Sequence, residues 1–268
     1  MWFEWTRAVN LGAVLLFAAL FFLLVRQARR GKKLYLRPIR GLEAISDAVG
    51  RAAEMGRPIL YAPGLTSVTE PVTVASMGIL SRVAERAARL RTRILVPNYD
   101  PLTYPVAQQV VKQAFIRAGR AEEHLQDDVS YLTSRFLTYA AAVAGMMVRE
   151  RTASNFLIGH FFSEALILAE TGAATDAVQI GGTDSVTQLP FIITTCDETM
   201  IGEEVFAAAA IAADDPVSRS TVKAHDWFKI PLAALMGLGL VLAVLGALGY
   251  EPALALSTSI AGFLKGGH

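Results

Sequence analysis

Residues 155–181 read NFLIGHFFSEALILAETGAATDAVQIG, and this stretch decides the fold. A short apolar run, Asn155 to Gly159, turns at Gly159-His160 into a helix-like segment carrying Glu164 and Glu170, and a second short run, Ala177 to Gly181, follows. Strand, helix and strand in succession form a crossover unit, which sets its two strands parallel. The same alternation extends outward. Runs rich in β-branched residues at Pro58 to Ala62, Arg93 to Pro97 and Val129 to Leu132 come before it, and Phe191 to Thr195 comes after. Between them apolar residues recur at helical spacing, as in Val74, Met77, Ile79, Leu80, Val83, Ala84 and Ala87, and in a leading stripe of Ile45, Val49, Ala52 and Met55. The pattern predicts a Rossmann-like α/β domain, a mainly parallel sheet with helices on both faces. From Gly181 to Pro190 there is too little chain for a crossover helix, so the run at 191–195 is either antiparallel or not a strand. A mixed edge is expected there, with Gly181-Gly182-Thr183-Asp184 turning the chain.

The two ends of the chain differ from its middle. Of 268 residues 53% are hydrophobic, and the excess lies in Ala8 to Val25 and Ile230 to Gly249, two uncharged runs of membrane-spanning length. Pro231 is placed in the first turn of the second run, where its missing N–H is tolerated. A secretory signal is the rival reading of the first run, but the basic segment follows it, where a signal needs small residues for cleavage. Arg26, Arg29, Arg30, Lys32, Lys33, Arg37 and Arg40 follow the first run, and Arg219, Lys223 and Lys229 precede the second. By the positive-inside rule the middle domain, 26–228, is cytoplasmic, with both termini outside a bacterial inner membrane and 250–268 a short apolar external segment. Trp2, Trp5 and Tyr250 then mark the outer interface, and Trp227 and Phe228 the inner one. Anionic-lipid binding is a sharper reading of the basic flank. With 25 basic and 24 acidic side chains the net charge is +1, which gives no field to draw the protein onto nucleic acid. A single cysteine, Cys196, excludes an intrachain disulfide and a multi-cysteine metal site. No metal and no cofactor is named by any motif.

Dinucleotide, P-loop, zincin and nucleophile-elbow motifs are all absent, which lowers the enzyme prior. The residues worth testing lie where parallel strands end, because such folds place ligands along that edge. Gly64 and Thr66 follow the first strand, Asn98 and Asp100 the second, Ser134 the third, and Gly182 the fifth. The densest polar feature is Gly159-His160-Phe161-Phe162-Ser163-Glu164. His160 has the chemistry of a base and Glu164 that of a general acid or metal ligand, although Glu164 also suits a helix N-terminus and His160 a turn. In Cys196-Asp197-Glu198 the thiol is a candidate nucleophile with His160 as partner, set against the commoner buried, inert cysteine. Pro63 to Ser67 is either an anion-cradling loop or a simple turn.

Four segments, ILYAPGLTSVTE, LVPNYDPLTYPVAQQVV, AAAVAGMMVRERTASNFLIGHFFSEALILAETG and AVQIGGTDSVTQLPFIITTCDETMIGEEVFAAAA, with the two flanking apolar runs, together resemble a bacterial membrane-protein family defined only as a domain of unknown function. The resemblance implies the architecture and brings no activity. The expected role is a self-assembling membrane scaffold, in which Gly239, Ala243 and Ala247 let membrane helices of a homo-oligomer, for which a ring is a natural form, approach closely. Its rivals are a membrane-tethered sensor of a small ligand or nucleotide, and a hydrolase or transferase using His160, Glu164, Cys196 and Asp197.

Overall fold

In the computed structural model, which describes residues 8–29, 39–123, 125–213 and 216–248, the chain forms two units. One comprises 36–215 and the other joins 1–35 with 216–268.

The first unit runs α2 (Arg40–Met55), β1 (Ile59–Ala62), α3 (Pro71–Arg89), β2 (Ile94–Asn98), α4 (Thr103–Arg117), β3 (Val129–Tyr131), α5 (Phe136–Glu150), β4 (Ser154–Ile158), α6 (Glu164–Ala174), β5 (Val178–Thr183), α7 (Leu189–Thr195), β6 (Glu198–Ile201) and α8 (Glu203–Ala213). The six strands lie in the order β3-β2-β1-β4-β5-β6, and every pair is parallel. This is the doubly wound arrangement, with the reversal of strand order between β1 and β4. Side chains alternate across it as a strand's period of two requires. Ile59, Tyr61, Phe156 and Ile158 enter a core with residues of α2, α3, α4 and α8. Leu60, Ala62 and Leu157 enter the opposite one, built with α5, α6 and α7.

The mixed edge is not formed. Residues 191–195 belong to α7, and the sixth strand is Glu198–Ile201, parallel to β5. The β-branched run is helical because Pro190 suits a first turn and the Thr194 and Thr195 hydroxyls donate back to the Pro190 and Phe191 carbonyls at 2.8 and 2.6 Å. A two-turn helix within 184–197 completes the crossover.

In the second unit α1 spans Ala8–Arg29 and α9 spans Pro216–Ala247. The Phe17 ring of α1 packs edge-on against His225 and Phe228 of α9, with centroids 5.2 and 5.5 Å apart. Pro231 therefore lies inside α9 and not in its first turn, a place taken by Pro216. Among the described residues one helical stretch, Val217–Leu245, is long and apolar enough to cross a membrane, with mean hydropathy 2.2, and Val14–Leu23 is a shorter apolar one. Trp2, Trp5, most of the basic flank at 30–37, Tyr250 and the segment 250–268 lie outside the described residues.

Candidate functional site

Because all six strands are parallel, their C-terminal ends share one edge. At its centre the loops after β1 and β4 interlock. The Leu65 N–H donates to the His160 carbonyl at 2.9 Å. Gly64 has φ +91°, and a Cβ there would stand 2.8 Å from the His160 nitrogen, so only glycine permits this approach.

One step along, the Nδ1–H of His160 donates to Asp184 Oδ1 at 2.7 Å. Both side chains are partly exposed, 28% and 33%. A carboxylate on Nδ1 fixes the ring and leaves Nε2 as its other hydrogen-bonding nitrogen. The Phe162 ring packs edge-on against His160 with centroids 5.1 Å apart. The sequence presents Asp184 only as part of a turn. The missed signal is register: Ile158 pairs with Gly182, so residues two beyond each, His160 and Asp184, come side by side.

Glu164 is buried and reaches back to accept the Phe162 N–H at 2.8 Å, while its second oxygen, Oε2, has no partner among the described residues. Its charge adds to burial in pushing the Tyr139 phenol far above the ordinary range. Tyr139 donates to the Pro97 carbonyl at 3.0 Å. Asn98 closes β2, and its amide donates to the Val96 and Ser130 carbonyls at 2.9 and 3.2 Å, which fixes Oδ1 as a buried acceptor without a partner among the described residues.

The remaining edge residues hold their own loops. Asp100 Oδ2 accepts the Leu102 and Thr103 N–H groups at 3.1 and 2.8 Å and the Thr103 hydroxyl at 2.9 Å, so it caps α4. Thr66 pairs with Thr73 at 2.8 Å, and Ser134 with the Tyr131 hydroxyl at 2.7 Å. Gly182 lies within β5, where a Cβ would press on Met200 at 3.2 Å.

Cys196 and Asp197 are not brought to His160. They precede β6, at the opposite end of the sheet from the β4 exit. Asp197 clamps Gln179, accepting its N–H at 2.7 Å and donating to its carbonyl at 2.9 Å. Burial pushes the Cys196 thiol up to about 12, which keeps it protonated, the reverse of an activated nucleophile. Among the described residues no three His, Cys, Asp or Glu side chains gather as metal ligands.

The fold and this edge define a Rossmann-like α/β domain with a histidine–carboxylate pair beside its switch point. The chain belongs to the family described as Domain of unknown function (DUF6754), whose model matches residues 1–253. Neither a curated protein nor a solved structure matches it.

Proposed function

We propose that this chain is a two-pass bacterial inner-membrane protein whose cytoplasmic α/β domain assembles with copies of itself, as a scaffold on the membrane. One observation carries the reading. The helices on one side of the sheet carry charge along their outer faces, with Met55, Val74, Val106 and Ile116 exposed among it, whereas the outer faces on the other side are mostly apolar and show charge only at Glu170 and the end of α5. Arg40, Glu43, Asp47, Arg51 and Glu54 of α2 are exposed, as are Arg82, Arg86 and Arg89 of α3. Phe136 to Val148 of α5 contains no charge, α7 contains none, and Leu137, Val148, Ile167, Phe191 and Ile193 stand out from α5, α6 and α7. Exposed apolar surface of that extent on a folded domain marks a surface that another molecule covers.

Membrane helices supply a second contact in this reading. Gly239 has open space where a Cβ would stand, and Ala243 is exposed, while the side chain of Ala247 lies outside those described. Such positions let helix backbones approach in lipid. Mass determination of the full chain in mild detergent tests the proposal: an oligomer is expected, and a monodisperse monomer overturns it. Orientation is tested separately by a thiol placed at Ser67, which an impermeant reagent should leave unlabelled in intact cells.

A second reading, favoured by the His160–Asp184 pair and the unpartnered oxygens of Glu164 and Asn98, is a small ligand rich in hydrogen-bond donors at the strand-end edge. Native mass spectrometry of the purified chain should show a bound small molecule that His160→Asn and Glu164→Gln release. A chain that is ligand-free when gently isolated removes this reading.

A further inference from the structure

The outward line of α5 holds Leu137, Ala141, Ala144 and Val148, spaced four, three and four residues apart. That spacing keeps side chains on one seam of a helix. Leu137 is 58% and Val148 56% exposed, Ala141 is exposed and Ala144 half-buried. Read from either end the seam is the same: large, small, small, large. A surface with that property is complementary to itself when a second copy is turned end for end.

We propose that two copies of this chain pair through α5, antiparallel about a two-fold axis, with Leu137 of each on Val148 of the other and Ala141 opposite Ala144. The pairing rests on the self-assembly reading above and specifies its surface, register and symmetry. Alanines at the centre let the helix axes approach to about 8 Å, at the close end of helix packing. Ile167 of α6 and Phe191 and Ile193 of α7 widen the patch beyond the seam.

Size favours a second copy as the occupant. At 1.5 Å rise per residue and about 10 Å per helix width, the three helices offer a face on the order of 500 Å². Two such faces bury on the order of 1,000 Å², the least that a specific pair needs. Chains already held in one membrane also have less freedom to lose on association. Charge argues against an anionic lipid surface, which is recognised by clusters of Lys and Arg. The seam itself holds no cation; Arg135, Arg149 and Arg151 stand at the ends of α5, and the Arg149 guanidinium folds back to 2.9 Å from where a Gly145 Cβ would stand.

The test exploits the register. In the full chain, Ala141→Glu alone and Ala144→Lys alone should each weaken pairing at least tenfold, by burying a charge against alanine. The two combined should restore it, because Glu at 141 then faces Lys at 144 across the axis, twice. Single variants that leave the assembly unchanged overturn the α5 pairing while the scaffold reading stands. A monomeric unaltered chain overturns both. Should the charged variants fail to fold, cross-linking decides. In a Cys196→Ala background a short bifunctional maleimide should join Ala141→Cys to its own copy and leave Leu137→Cys monomeric, since the latter pair lies about three helical turns apart along the axis. Equal yields at both positions, or none at 141 because lipid or the chain's own C-terminal segment covers the seam, overturn the pairing.

Discussion

The two sides of the sheet solve the same packing problem and finish it differently. On the α2–α3–α4 side every helix buries an apolar stripe and its outer face mixes charge with a few exposed apolar side chains, Met55, Val74, Val106 and Ile116, while the Arg89–Glu85 ion pair at 2.6 Å lies outside the core. On the α5–α6–α7 side the buried stripes are as complete, since Tyr139, Ala140, Val143, Met147, Leu168 and Ile192 are all fully enclosed, yet the outward positions are apolar too. Folding stability requires only the inward stripe. The difference therefore lies in the outer surfaces alone, and in the scaffold proposal the less charged one is the docking face, so that one sheet would serve two surroundings while its interior stays nearly symmetric.

The largest expected effects come from matched leucines. Leu80 is fully buried under α3, and Leu80→Ala should cost about 3 kcal/mol in chemical denaturation, whether or not the chain is assembled. Leu137→Ala removes the same atoms from the outer surface of α5. In a chain kept monomeric by Ala141→Glu it should change stability by no more than about 0.5 kcal/mol. In the assembling chain it should loosen the oligomer. A Leu137→Ala variant as destabilised as Leu80→Ala when monomeric would break the comparison, because α5 would then be covered within its own chain.

A matched pair of tyrosines comes next. Tyr61 donates to the Ser76 carbonyl at 2.7 Å in one core, and Tyr139 to the Pro97 carbonyl at 3.0 Å in the other. Each Tyr→Phe change should cost about 1 kcal/mol at neutral pH by leaving a carbonyl short of a donor. Burial raises both phenols far above their ordinary 10.0. Each is neutral in the folded chain when its unfolded counterpart ionises, so the stability both contribute is intact below pH 10 and is lost as pH rises beyond it. Either Phe variant should flatten the alkaline limb of a stability–pH curve, and an unchanged limb would show that its phenol is not enclosed as described.

Much of this was legible in the sequence, for identifiable reasons. Five strands and their helices announced themselves through periodicity, because each helix keeps one side on a core. Residues 191–195 misled because Ile-Ile-Thr-Thr has the composition of a strand, and what made it a helix, threonine hydroxyls returning to carbonyls one turn back, depends on a conformation already formed. His160 could be singled out as a polar residue at a strand end. Asp184 could not, because its partnership depends on the register of β4 with β5, which becomes visible only when the sheet is assembled. Cys196 and Asp197 follow the same segment, and because it is a helix they stand at the start of β6 and not at a strand's C-terminal end.

The smallest expected effect concerns that cysteine, which reports on the apolar side alone. Cys196 ends α7 and packs with Ile192 over β5, its sulfur 2.8 Å from where a Gly181 Cβ would stand. Removing it as Cys196→Ala takes away one sulfur from a spot that already tolerates no larger neighbour, so stability at pH 7 should change by less than about 1 kcal/mol. The pH dependence is more telling. An unfolded thiol ionises near 9.0, whereas burial holds the folded one to about 12. The folded pKa is raised, so the contribution is whole below pH 9 and declines as pH climbs from 9 toward 12. At pH 10 the native chain should have lost on the order of 1 kcal/mol that Cys196→Ala does not lose. A thiol-specific reagent at pH 8 should likewise label the denatured chain quickly and the native chain at least a hundredfold more slowly. Rapid native labelling would show that the half-buried thiol is not held protonated by its surroundings, and the pH dependence argued for it would fall with that.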